Sequence, residues 1–204
     1  MELKELISLW DSNEGKPYKG RLIDWSEYEG DGEEPPTNIG CMCAQGQVLH
    51  LLGGWSPRKL NGTEQREADK ETAKLLGISI AHAVILRRVN DSVDGAPSIV
   101  LTNPEKILGD QAHIILAFWK HIDRMTHEDW QKVIAARNAA RDVARNAAAS
   151  SAAAAAWNAA LDAAWDAALA YSEIQGASVM RECGQPFFFL PMFGFASPEE
   201  IPLS

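Results

Sequence analysis

Apolar residues recur at helical spacing along most of this chain. Leu3, Leu6, Ile7 and Trp10 share one side of a helical wheel, which predicts a short helix from Glu2 to Trp10. Asn13, Gly15 and Pro17 end it. Residues 16–39 show no period; Tyr18, Leu22, Ile23, Trp25 and Tyr28 are the groups able to pin them to a core, and Gly30 to Pro36 forms an acidic loop. Asn38 to Gly54 reads as a buried helix with a glycine stop, in which Gly40, Ala44 and Gly46 let a second backbone come close. Trp55 to Arg58 reads as a loop. Thr63 is the expected N-cap of a helix through Leu76, closed by Gly77. Ile78 to Arg88 is apolar and fits a helix or a strand; a helix with Ser79 as cap is favoured, after which Asn90-Asp91 and Asp94-Gly95 are expected to turn the chain. Asn103-Pro104 starts a helix to about Met125, with Ile107, Leu108, Ala112, Ile115, Phe118, Trp119 and Ile122 on one face. Ile114 and Leu116 lie off that face, so this helix is the expected centre of the fold.

The pattern then changes to nine four-residue units between Arg137 and Ser172, most of them ending in Ala-Ala. Alanine loses no rotamer freedom in a helix, so the tract is predicted to be helical. Four residues advance about 400° on a helix, so each unit drifts by about 40°. Trp157, Leu161, Trp165 and Leu169 thereby form a slanting stripe about 120° wide, and Arg141 and Arg145 continue the same path. Methyl-covered faces let helix axes approach closely. Such a surface is met by an internal core, by a second copy of the chain, or by a foreign protein. Thr126-His-Glu-Asp129 resembles a capping box at the start, and Gly176 is the expected stop. Unbroken, this helix would hold about 50 residues and span about 75 Å; a break near Ser150-Ser151 gives a helical hairpin instead.

Beyond Gly184 five of the six phenylalanines fall within nine residues, including Phe187, Phe188, Phe189 and Phe193, and prolines exclude a regular helix. A tail so apolar must dock, on its own domain or on a neighbour. The expected fold is therefore mainly α. It comprises an N-terminal helical domain over 1–125, a long Ala-rich helix or hairpin over 126–176, and an extended Phe/Pro-rich tail over 177–204.

Composition narrows the class. The 204 residues carry a net charge of −9, concentrated in the first 34 residues, which hold ten acids and four bases. No basic patch stands out, so nucleic acid is a disfavoured partner. No segment has the length and flanks of a transmembrane span. The residues after Met1 are not those of a secretory signal, which gives a cytoplasmic expectation. Three cysteines make no disulfide framework, and Cys41-Met-Cys43 has no second pair to complete a metal site. No cofactor and no metal are expected.

The candidate chemistry is a thiol with a histidine. Cys41 or Cys43 falls near a helix start, where the dipole lowers a thiol pKa, and His82 or His113 supplies a base. This is the pattern of a small cysteine-dependent hydrolase, and no local signature marks the nucleophile. The alternative is a binding and self-assembly surface made of Arg141, Arg145, Trp157, Leu161, Trp165, Leu169, Phe187, Phe188, Phe189 and Phe193.

Two stretches resemble known groups. Cys43-Ala-Gln-Gly-Gln-Val-Leu49, followed later by Val89-Asn90-Asp91, is similar to a motif order in small uncharacterised bacterial and phage domains. There a Cys-Ala-x-Gly-Ala-like helix precedes an Asn-Asp turn; Gln47 stands here at the small position. Residues 137–195, with their Trp/Arg-Asp-Ala-Ala units and Phe-rich end, resemble accessory proteins of phages and prophages. Neither group implies an activity or a functional residue. The expectation is a non-enzymatic protein that forms homo-oligomers and blocks a host defence protein or captures a small nucleotide-like signalling ligand. A virion component is the third class.

Overall fold

The computed structural model describes residues 1–26, 38–93, 97–147, 193–195 and 197–202, with side chains of the last helix described through Ala139. The fold is mainly helical, with nine α-helices among the described residues. The only β pairing among them is a single antiparallel bridge between Ile23 and Met42. The chain divides into two compact units, Met1–Gly109 and Asp110–Ser204.

The first unit holds α1 (Leu3–Asp11), α2 (Ala44–Leu51), α3 (Pro57–Gly62), α4 (Gln65–Leu76), α5 (Ile80–Ser92), α6 (Ile99–Thr102) and α7 (Glu105–Leu108). Its centre is the mutual packing of α2, α4 and α5. Every residue from Ala81 to Leu86 is buried, so α5 is enclosed on all sides. Leu22, Ile23, Met42, Cys43, Leu49, Trp55, Leu60 and Ala68 form one apolar cluster, against which Trp25 and Cys41 pack. Full burial of one such aliphatic side chain contributes about 1.5–3 kcal/mol. The irregular segment after α1 is thus a working part of this core, as its aromatic and aliphatic residues suggested.

The caps explain where helices begin. The Ser79 hydroxyl accepts the His82 N–H, as expected of the N-cap of α5. Cys43 takes the cap position of α2, which is shorter than the Asn38–Gly54 expectation because Ile39–Cys41 forms a 3-10 turn first. Of the stretch read as a loop, Trp55 and Ser56 are irregular as expected, but Pro57 and Arg58 open α3, with Ser56 as N-cap. Glu64, not Thr63, precedes α4, and Gly77 closes it in the left-handed conformation. Asn90 and Asp91 do not turn the chain; α5 runs through both to Ser92.

The helix expected from Asn103 to Met125 is two helices, α7 and α8 (Ala112–Arg124). Between them Gly109 has φ 80° and ψ −175°, a backbone open essentially to glycine alone. The unit boundary falls there, and the proposed central helix α8 belongs to the second unit. It buries Ala112, Ile115, Phe118, Trp119 and Ile122, the expected face.

The last described helix, α9 (His127–Ala147), starts at the expected capping box. The Asp129 carboxylate accepts the Thr126 N–H at 3.0 Å and its hydroxyl at 2.7 Å, and the Asp129 N–H donates back to Thr126 Oγ at 3.2 Å. The described part of the tail docks within its own unit. Phe193 meets Phe118 edge-on at 5.0 Å and Trp130 at 6.2 Å. Phe195 meets His121 at 4.8 Å, and Ile201 is buried. The helix break near Ser150 and the Gly176 stop lie outside the described residues.

Candidate functional site

Two buried glutamines organise the first unit. Gln47 is fully enclosed on α2. Its Oε1 accepts the Trp10 indole N–H at 2.7 Å, which ties α1 to α2. Its Nε2 faces the carbonyls of Ile39 at 2.9 Å, Gly15 at 3.1 Å and Met42 at 3.3 Å. Gln45, on the opposite side of α2, donates from Nε2 to Asp69 Oδ1 at 2.8 Å and to the Ala83 carbonyl at 3.0 Å. Gln65 Nε2 donates to Gln45 Oε1 at 2.8 Å and lies 3.3 Å from Asp69 Oδ1. Arg87 Nε completes the group at 3.4 Å from the same oxygen. Gln45 comes from α2, Gln65 and Asp69 from α4, and Ala83 and Arg87 from α5, so the network locks these three helices in one register.

A second set of bonds holds the segment Tyr18–Asp24 in place. The Tyr18 N–H donates to Met42 O at 2.9 Å, the Asp24 N–H to Cys41 O at 2.7 Å, and the Cys43 N–H to Leu22 O at 3.2 Å. From the end of α5, Asn90 Nδ2 donates to Tyr18 O at 2.8 Å and Asp91 accepts the Gly20 N–H at 2.9 Å. Gly46 makes this approach possible. A Cβ built there would lie 2.0 Å from the Leu22 carbonyl oxygen.

The segment so held forms one wall of a cleft of about 380 Å³, lined by Gly20, Arg21, Leu22 and Ile23. Leu60, Asn61, Thr63 and Gln65 line it from α3 and the start of α4. That volume lies in the range of small-molecule sites. Among the described residues that line the cleft, Arg21 alone is charged. Asp24, near enough for each charge to be felt by the other, has its carboxyl pulled below the ordinary range first by the Ser26 hydroxyl. The Tyr18 phenol is raised by its hydrogen bond to Asp24.

The thiol chemistry suggested by the sequence meets an obstacle. Cys43 is buried, and burial pushes its thiol up to about 11, against the opposing backbone N–H groups of Gly46 and Gln45. The helix start does act on Cys43, since the Gly46 N–H points at Sγ at 3.4 Å, but desolvation outweighs it. The thiol therefore stays protonated at neutral pH. The Cys41 thiol donates to Asn38 O at 2.7 Å. His82 is buried with Nε2 at 2.8 Å from Val100 O, where burial lowers its pKa. His113 is exposed on α8 of the other unit.

Of the assembly residues, Phe193 packs edge-on against Phe118 and Trp130 of its own unit. Arg141 and Arg145 lie on α9 with side chains outside the described set. Trp157, Leu161, Trp165, Leu169, Phe187, Phe188 and Phe189 fall outside the described residues altogether. Among the described residues there is no cluster of three or more metal-ligating side chains. No described helix is long and apolar enough to cross a membrane. Sequence reasoning missed the cleft and both buried glutamines. The available signal was a Gln-Gly-Gln triplet inside an otherwise apolar helix, which asks where two carboxamides find their partners.

In comparisons with known proteins, no family model, curated protein or solved structure matches this chain.

Proposed function

We propose that this chain is a non-enzymatic binding protein of the phage accessory kind. It assembles with copies of itself through the Ala-rich helix and acts by occupying a host defence protein or by capturing a small signalling ligand. One observation carries the reading: reactive side chains are spent on structure while uncommitted polar ones gather at a cleft. Cys43 caps a helix in the core and His82 holds a buried carbonyl. Arg21 and Asn61 make no hydrogen bond or ion pair among the described residues, and both line the cleft. A surface of that kind recognises without transforming. Assembly is supported by the tetrapeptide tract, whose methyl faces and Trp/Leu stripe suit a helical partner.

Light scattering coupled to size-exclusion chromatography tests the assembly half. Oligomers at micromolar concentration are expected; a strict monomer there removes it. Alkylation by iodoacetamide at neutral pH, mapped by peptide mass, tests the rival thiol hydrolase. Cys43 is expected to stay unmodified until the protein is unfolded. Rapid native labelling of Cys43 would revive the enzyme.

A further inference from the structure

The cleft carries a more specific assignment, which rests on the reading that the protein captures without turnover. Its hydrogen-bonding capacity can be counted. Arg21 keeps its guanidinium donors: Asp24 lies close enough to feel its charge, but makes its hydrogen bonds to Ser26 N and Oγ at 3.1 and 2.8 Å and to Tyr18. Asn61 is exposed and keeps both its donors and its acceptor. Gln65 is oriented by chemistry: its Nε2 must face Asp69 and Gln45 Oε1, since a carboxylate oxygen only accepts. Its Oε1 is therefore an unspent acceptor at the cleft. The Thr63 hydroxyl donates to Lys59 O at 2.6 Å and retains an acceptor. Leu22, Ile23 and Leu60, whose side chains are buried in the core, close the floor of the cleft beneath these polar groups.

We infer that this cleft binds a mononucleotide, its phosphate on Arg21 and the polar edge of its base on Asn61 and Gln65. One cation with no lining carboxylate selects an oxyanion, and guanidinium donors match phosphate geometry. A carboxamide pair offering donors and acceptors matches the mixed edge of a nucleobase. The volume of about 380 Å³ lies near the lower end for ligand sites, which favours one nucleotide over a longer one. Asn90 and Asp91 are positioning residues here: from the end of α5 they hold the Tyr18–Gly20 backbone that presents Arg21.

Isothermal titration of the full chain with AMP, GMP, CMP and UMP tests the assignment, with the parent nucleosides, inorganic phosphate and ribose 5-phosphate as comparison arms. At least one nucleotide is expected to bind, about tenfold or more tighter than its nucleoside, and more weakly as salt is raised. Arg21→Ala and Asn61→Asp are expected to weaken it by about tenfold each while the thermal midpoint stays unchanged, because both residues are exposed. Arg21→Lys is expected to restore part of the loss. Absence of binding by all four nucleotides at millimolar concentration would overturn the assignment, as would Arg21→Ala and Asn61→Asp binding like wild type. Ribose 5-phosphate or phosphate binding as tightly as the nucleotides would overturn the base-reading role of Asn61 and Gln65. Chromatography of the nucleotide after incubation separates the two proposals. Conversion of a bound nucleotide sinks the non-enzymatic reading and leaves the cleft; loss of binding sinks the cleft and leaves assembly to light scattering.

Discussion

Gly46 shows how much one missing methyl group decides. The Leu22 carbonyl occupies the space a Cβ would need, at 2.0 Å, and the Cys43 N–H bonds that same carbonyl at 3.2 Å. Gly46→Ala is expected to lower stability by about 3 kcal/mol, since backbone rather than a flexible side chain must yield. Gly62→Ala is the control, because its added Cβ meets nothing within 4 Å; it is expected to change stability by under about 0.5 kcal/mol. Urea midpoints for the pair check this, and equal behaviour would refute the close approach. The sequence marked Gly46 as a place for a neighbouring backbone, but the neighbour, a carbonyl twenty-four residues earlier, was not readable. Cys43 teaches the complementary lesson. Its position at a helix start was legible and suggested an activated thiol, whereas its burial, which reverses that effect, is a property of the assembled core.

Among the elements, α2 is tied to its neighbours by amides as much as by apolar contact. Gln45 satisfies Asp69, the Ala83 carbonyl and Gln65 at once. Replacing it by methionine keeps the volume and leaves those groups short of partners in a buried place. Gln45→Met is expected to cost about 2–3 kcal/mol, the penalty of leaving buried polar atoms unpaired. Chemical denaturation measures it; a neutral outcome would mean that the amide network does not stabilise the three-helix centre. Caps and stops were the most readable element-level features. Ser79, Gly77 and the Thr126/Asp129 box act through backbone groups one turn away, so local sequence contains the whole cause. The misreadings were also local in form. Asn90-Asp91 carries turn composition, but its side chains are recruited to hold a distant loop, and the helix continues beneath them.

For the molecule as a whole, pH is the most direct lever. His82 is buried in the first unit and His121 is half-buried in the second, and desolvation lowers both below the ordinary imidazole value of 6.5. As pH falls through that value the unfolded chain takes up protons that the folded protein refuses, so the folded state loses ground. The carboxylates with lowered values, Asp24, Asp129 and Glu199, act separately, below the ordinary values of 3.8 and 4.5. Stability is expected to be steady between pH 6.5 and the ordinary thiol value of 9.0, to fall above that as the unfolded chain loses the proton buried Cys43 keeps, and to decline below 6.5 toward the carboxylate range. His82→Gln, which keeps a donor for Val100 O, is expected to flatten part of that decline. Thermal midpoints across a pH series report both; a flat wild-type profile in that window would contradict the burial of these imidazoles. The mainly helical class, the caps at Ser79, Gly77 and Thr126/Asp129 and the apolar faces of α1 and α8 followed from the chain alone, because periodicity and capping act within a few residues. The Arg21 cleft, the inertness of Cys43, the break at Gly109 and the engagement of Phe193 were decided only by the fold. Each depends on residues far apart in sequence, on desolvation, or on a backbone angle that no pattern of hydrophobic and polar residues specifies.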